Sequence, residues 1–374
     1  MNFLIVDTYY ADFLDHLYAL NLSLSQQSYN QQLRFLLGQC FGTADFYSYN
    51  LRQLDCEAED VIVNCEPLQR KWAEEQGLKI DWAWPRLGIT RNRRVLTPTI
   101  RPNNRYIFDV LAAQVRAYKP DVLYVQNISL MSKAFIREKV RPYVKLLVGQ
   151  HASPLPATDR WQDYDLVLSS LPHQVDQFRQ AGIKSEYLAI GFEPSVLDKL
   201  GPIDKRLAVV HVGGYSGAHN ERKRLLEHVA RHIDVEFWGY GVEALPAQSV
   251  IKRQYKGEAW GLDMYKLRAG SCITLTKHSA ASGPYANNMT LFETTGVGSL
   301  LVTDQKSNLS KLFNIGTELV SYINADDCIE KVCYYLEHDA ERETIAKAGQ
   351  ERTLRDHTYM QRMQELVTII QKHL

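Results

Sequence analysis

Gly283-Pro284-Tyr285-Ala286-Asn287-Asn288-Met289-Thr290-Leu291-Phe292-Glu293-Thr294-Thr295-Gly296-Val297-Gly298-Ser299-Leu300-Leu301-Val302-Thr303-Asp304 is the stretch on which the fold turns. A polar loop runs into a helix over 288–295. That helix carries a glutamate, and Gly296-x-Gly298 ends it before an apolar strand over 299–303. Loop, helix, glycine stop and buried strand in this order make up one α/β unit.

Working outward, the same alternation fills most of the chain. Upstream, strands are expected at 2–6, 60–63, 121–125, 145–148, 165–168 and 185–189, separated by helical patterns at 12–20, 29–39, 45–54, 66–77, 104–118, 132–140 and 171–181. Asn64 reads as the N-cap of the helix that contains Pro67. The pattern breaks at Leu200-Gly201-Pro202-Ile203-Asp204-Lys205, which reads as a linker. It restarts with strands at 207–212, 235–238, 271–276, 299–303 and 318–322, and with helices at 219–232, 260–269 and 325–337. Asn324 caps the last of these, and residues 339–374 read as helical throughout. Strands alternating with helices predict a largely parallel sheet in each half, hence an α/β chain of two Rossmann-like domains. Loops after the strands then open on a shared cleft, where ligands bind in such folds.

Composition narrows the function classes. The 374 residues hold 43 Lys and Arg against 43 Asp and Glu, which argues against a nucleic-acid binder. The apolar runs are strand-length, so no membrane span is expected. The N-terminus lacks the basic and apolar regions of a signal peptide. The six cysteines Cys40, Cys56, Cys65, Cys272, Cys328 and Cys333 form no C-x-x-C pair and read as reduced thiols of a cytoplasmic protein. No His/Cys/Asp cluster has zinc spacing, and no G-x-S-x-G elbow is present. Asp163-Tyr164-Asp165 has the D-x-D spacing of a metal site, but it precedes its strand and so lies away from the cleft.

Four other loops carry candidate chemistry. Gly213-Gly214-Tyr215-Ser216-Gly217 enters a helix, and its backbone N–H groups would suit a phosphate. A turn that merely needs glycine to bend is the plainer reading. His219, Arg222 and Lys223 follow and can share a helix face. Gln150-His151-Ala152-Ser153 follows a strand at the cleft end. Thr8-Tyr9-Tyr10-Ala11-Asp12 does the same: Tyr9 and Tyr10 are candidates to stack on an acceptor sugar, and Asp12 is a base or, preferably, an N-cap. Arg86, Arg91, Arg93, Arg94, Arg101 and Arg105 form a basic stretch without an acid, behind Trp82 and Trp84. It reads as a solvated loop, or as a contact for an anionic acceptor or membrane surface.

The opening stretch resembles the donor-binding element of GT-B glycosyltransferases, most closely the CgeB-like group with its N-M-R-L-F-E-x-x-G-x-G-x-L-L-x-x-D pattern. The similarity continues through Tyr334-Tyr335-Leu336-Glu337-His338, Ala348-Gly349-Gln350 and His357-Thr358-Tyr359, and His211-Val212-Gly213-Gly214 looks like that group's phosphate loop. The resemblance implies a GT-B fold with an acceptor domain (1–200), a nucleotide-sugar domain (201–356) and a terminal helix (357–374) packing back on the first domain. It implies that Glu293 holds the donor ribose and that Asn287, Asn288, Met289 and Thr290 meet the diphosphate with Gly213, Gly214, His219, Arg222 and Lys223. His151 would meet the transferred sugar or the acceptor hydroxyl, and the Tyr285 phenol could donate to a sugar hydroxyl or a phosphate. Two positions depart from the group: Tyr285 stands where related retaining enzymes carry the first glutamate of an E-x7-E pair, and Thr290 replaces an arginine.

The expected function is therefore sugar transfer from a nucleotide-diphosphate sugar to a glycan, lipid-linked or small-molecule acceptor in polysaccharide biosynthesis, without metal or cofactor and with retention. It would take place in the cytoplasm, with peripheral contact at the inner face of the cell membrane through Arg86–Arg105. A sugar-nucleotide 2-epimerase and a degenerate GT-B binding protein are the rival readings.

Overall fold

Phe3–Val6 and Val122–Val125 are buried residue after residue, as strands covered by helices on both faces must be. They lie in a computed structural model that describes residues 1–82, 86–92, 95–101, 105–153, 160–215 and 220–374, with backbone alone for 86–92, 95–101, 105, 160 and 220. The first half supplies β1 (Asn2–Asp7), β2 (Glu57–Ile62), β3 (Arg86–Asn92), β4 (Val95–Arg101), β5 (Val122–Val125), β6 (Leu146–Gln150), β7 (Leu166–Ser169) and β8 (Ser185–Tyr187). Six of these form a parallel sheet in the order β2-β1-β5-β6-β7-β8. β3 and β4 pair with each other as an antiparallel hairpin. That hairpin falls on the arginine-rich stretch expected to be a loop.

The second half supplies β9 (Leu207–Gly214), β10 (Glu236–Tyr240), β11 (Tyr255–Gly257), β12 (Ser271–Leu275), β13 (Leu300–Asp304) and β14 (Val320–Tyr322). They form a parallel sheet in the order β11-β10-β9-β12-β13-β14. Strand order reverses beside β1 in one sheet and beside β9 in the other, so each sheet has a switch point with its crevice at the carboxyl ends of the strands.

Helix Ser195–Leu200 closes the first half, and Gly201 turns the chain away at φ 62°. The halves share apolar packing. Phe3, Tyr124 and Val148 belong to one cluster with Leu291, Phe292, Leu301 and Met363. The chain returns through Thr358, which caps the helix Tyr359–His373 in a reciprocal box with Gln361. Phe192 donates its N–H to His357 O (2.8 Å) and accepts from Tyr359 N (2.9 Å), while Arg362 Nε donates to Ile190 O (3.1 Å). This helix packs on the helix Phe46–Gln53, where the Tyr359 ring lies 5.4 Å from Phe46 and 5.5 Å from Tyr47. Among the described residues no helix is long and apolar enough to cross a membrane.

Candidate functional site

The carboxyl ends of β9, β12 and β13 bring cations together. β9 runs through to Gly214, so the glycine pair ends the strand. A Cβ on Gly214 would lie 2.7 Å from the Tyr240 ring, so a larger residue here would have to displace that ring. From the helix Asn220–Val229, Arg222 reaches back to this end. Its Nε donates to Lys277 O (2.9 Å), and its Nη1 lies 3.6 Å from where a Cβ on Gly213 would stand. Burial pulls the Arg222 guanidinium below its ordinary range, and no carboxylate pairs with it among the described residues. A partly buried cation with, among the described residues, only the Asp304 carboxylate near it and none in direct contact is suited to an anionic ligand.

Beside it, Lys277 and Lys306 lie 3.8 and 3.4 Å from Asp304 Oδ2. Asp304 Oδ1 accepts from the His278 backbone N–H (2.7 Å) and contacts His278 Nδ1 (2.8 Å). Burial alone would raise the Asp304 carboxyl, but His278 and the Lys306 ammonium together hold it well below the usual carboxylate range. Arg222, Lys277 and Lys306 therefore stand against a single fixed carboxylate. Lys306 Nζ also donates to Gly283 O (3.0 Å), Ser307 Oγ to Pro284 O (2.8 Å) and Ala286 N to Asn308 Oδ1 (2.5 Å). The loop after β13 thus pins the loop that leads into the helix Met289–Gly296. Asn288 caps that helix by accepting from Leu291 N (2.9 Å). Cations, a glycine-ended strand and a helix start are the parts of a phosphate site.

Residues 222–368 match the family model described as glycosyl transferase-like, which spans most of the domain that holds these groups. The fold is that of the GT-B glycosyltransferases. HepE of Anabaena in complex with UDP-glucose aligns over all of both chains with 12% identity and a TM-score of 0.60. A glycosyltransferase from Rickettsia africae ESF-5 aligns over all of this chain and 98% of its own, at 11% identity and TM-score 0.59. Sucrose-phosphate synthase of Thermosynechococcus elongatus aligns over 100% and 99%, at 9% and 0.56. Such identities speak for the fold alone. No curated protein sequence matches the chain significantly.

The structure places the expected site residues unevenly. Gly213, Gly214 and Arg222 lie together with Lys277. Lys223 instead lines a groove with Arg231 and Leu245, on another side of its helix. His219 falls outside the described residues, as do Trp84, Arg93 and Arg94, while Arg86, Arg91, Arg101 and Arg105 are described by backbone only. Met289 and Thr290 open the capped helix, and Asn287 lies just before it, its carbonyl accepting from Ser282 Oγ (3.4 Å). Glu293 is 4% exposed. Its carboxylate lies against Arg268 inside the contact between two helices rather than on an open wall of the cleft.

In the first domain, His151 follows β6 at the cleft end and lies 3.4 Å from Ser153 Oγ through Nε2. Tyr9 corrects an expectation. It is 4% exposed and packs on Phe13 and Phe41, so it belongs to the core and cannot stack on an acceptor. Tyr10 is 52% exposed and meets the second domain edge-on, 5.6 Å from Tyr240 and 6.0 Å from Trp260. Asp12 is not the cap either: Tyr10 occupies the N-cap position, and Asp12 sits exposed in the first helical turn. Asn64 does not cap the next helix; its side chain ties the backbone of Tyr9 from both ends. Asp165 of the D-x-D triplet binds Arg141 (2.6 Å) and Leu147 N (2.7 Å) at the far end of the sheet.

Sequence reading missed Lys277, His278, Asp304 and Lys306. The signal was present: Lys277-His278 follows β12 after Thr276, much as His151 follows β6. Arg268 carried no such signal, since it lies in the last turn of a helix.

Proposed function

We propose that this protein is a glycosyltransferase that moves a sugar from a nucleotide-diphosphate sugar to a glycan, lipid-linked or small-molecule acceptor, without a metal and with retention at the anomeric carbon. The observation that carries the reading is Arg222, desolvated at the end of β9 and joined there by Lys277 and Lys306. Transfer leaves negative charge on the departing diphosphate. Fixed cations in a partly dry site stabilise that charge without reorganising, which is usually the greatest single source of rate acceleration open to such an enzyme. Gly213 and Gly214 let the phosphates approach the backbone, and the start of the helix Met289–Gly296 adds its N–H groups. HepE, described with UDP-glucose, supports a nucleotide sugar as donor.

His151, at the opposite lip, is the group proposed to meet the sugar or the acceptor hydroxyl. Glu293 would serve the ribose only by sharing its carboxylate with Arg268. On this reading the reaction takes place in the cytoplasm, with the stretch 86–105 as the contact for an anionic acceptor or for the inner face of the membrane. The test is turnover with a panel of UDP-, GDP-, dTDP- and ADP-sugars, followed by NMR of the product anomer. Transfer or slow donor hydrolysis with one nucleotide, abolished in Arg222→Met, is the expected result. Release of a free 2-epimer would show a different reaction, and no reaction with any donor would sink the proposal.

A further inference from the structure

His173 carries no motif in the sequence, yet it faces the second domain across the cleft. It is the second residue of the helix Pro172–Gln180, at the carboxyl end of β7. Its ring lies parallel to that of Tyr285, with centroids 5.6 Å apart and planes 8° apart. Tyr285 comes from the pinned loop after β12, eight residues before Glu293.

Both rings stand on fixed supports. On the His173 side, the adjacent Gln174 is 3% exposed and donates to Ser153 O (2.5 Å), while Ser169 Oγ holds Leu171 N (3.1 Å) and Gln174 Oε1 (3.2 Å). Ser153 in turn contacts His151, so the two histidines share one lip of the cleft. On the Tyr285 side, Lys306, Ser307 and Asn308 hold residues 283–286. His173 Nδ1 is buried and has no hydrogen-bond partner among the described residues. What the structure gives this imidazole is therefore a flat partner, and stacked rings of this kind hold each other in register. The stack spans the two domains, so it exists only when they stand at this separation.

We propose that His173 is a positioning residue for the donor sugar: stacked on Tyr285 from the opposite domain, it fixes the phenol at the sugar end of the donor site. The inference rests on the donor site proposed above. It separates two parts of the ligand. The diphosphate is held by Arg222 and its neighbours within one domain, and the sugar is met by a pair of rings that needs both.

The test compares wild type with His173→Ala, His173→Phe, Tyr285→Ala and the double alanine variant. Affinity for UDP, GDP, dTDP and ADP is measured by calorimetry, and kcat and KM are measured with the matching nucleotide sugar; melting curves show that each variant is folded. His173→Ala should keep its affinity for the nucleoside diphosphate and lose about three- to tenfold in kcat/KM. His173→Phe, which keeps a flat ring, should recover most of that loss. Tyr285→Ala should lose at least as much, and adding His173→Ala to it should cost nothing further. Unchanged kcat/KM in His173→Ala, a Phe variant as poor as the Ala variant, or additive losses would each overturn the role of His173 and leave the donor site standing. A wild type that binds none of the four nucleotides would instead fail the donor site, and this inference with it.

Discussion

The Glu293 carboxylate lies 3.0 Å from the Arg268 guanidinium, with the two side chains only 5% and 2% exposed. The pair joins the helix Leu262–Ala269 to the helix Met289–Gly296. Arg268 Nη2 also reaches Thr290 Oγ1 at 3.4 Å. Thr290 stands where the resembling group carries an arginine, and here a second guanidinium at that place would face Arg268. Threonine supplies an acceptor to Arg268 at this place.

Breaking this pair from one side strands a buried charge. Glu293→Ala should destabilise the protein by about 3–5 kcal/mol, whereas the double variant Arg268→Met/Glu293→Leu should recover most of the loss. Urea denaturation of the three proteins checks this. Any donor-binding defect of Glu293→Ala is then to be measured at a temperature where that variant is folded.

Gly261 joins the domains at a second place. Its φ is 49°, a Cβ there would stand 2.1 Å from Gln39 O, and the next amide, Leu262 N, donates to that same oxygen at 2.6 Å. Gly261→Ala must either push Gln39 away or abandon its own backbone angle. A loss of about 2–4 kcal/mol is expected, read as a lower melting temperature. Gly283→Ala is the control, since its φ is also positive but nothing lies within 4 Å of its Cβ position; it should cost less.

Asp60 makes stability depend on pH from within the first domain. It is 7% exposed, accepts from Ser48 Oγ, and burial pushes its carboxyl up to about 7. A folded value above the unfolded one means that its contribution is fully present at acid pH and is lost as pH rises through about 7. Asp60→Asn should therefore gain in melting temperature relative to wild type between pH 5 and pH 8.5. A difference that stays constant over this range would contradict the assignment.

The strands were legible because their burial is written as short apolar runs. Leu123–Val125 and Leu300–Val302 are such runs, and Gly296-Val297-Gly298 marks the border before the second of them. The hairpin β3–β4 was hidden because its arginines masked a modest alternation, Leu87 and Ile89 against Leu96, Pro98 and Ile100. Part of the candidate site was legible as well: the Gly213-Gly214 pair at a strand end is a local signal, and Arg222 follows it on the next helix, whereas the capping role of Asn288 appears only in the structure. Lys277, Lys306 and Asp304 depend on which strand ends lie side by side, and that order is a property of the sheet. Tyr9 was misread because a tyrosine in a cleft-end loop looks the same in sequence whether it points outward or into the core.

Whether Arg222 and its neighbours hold a diphosphate is tested most directly by calorimetric titration of UDP, GDP, dTDP and ADP into wild type and Arg222→Met. The methionine fills the same partly buried space without charge, so the fold should persist. One nucleotide should bind wild type, and the substitution should weaken it by about 10- to 100-fold, the worth of a charged hydrogen bond. Equal affinity in both proteins, or no binding by wild type, would contradict a diphosphate site at Arg222.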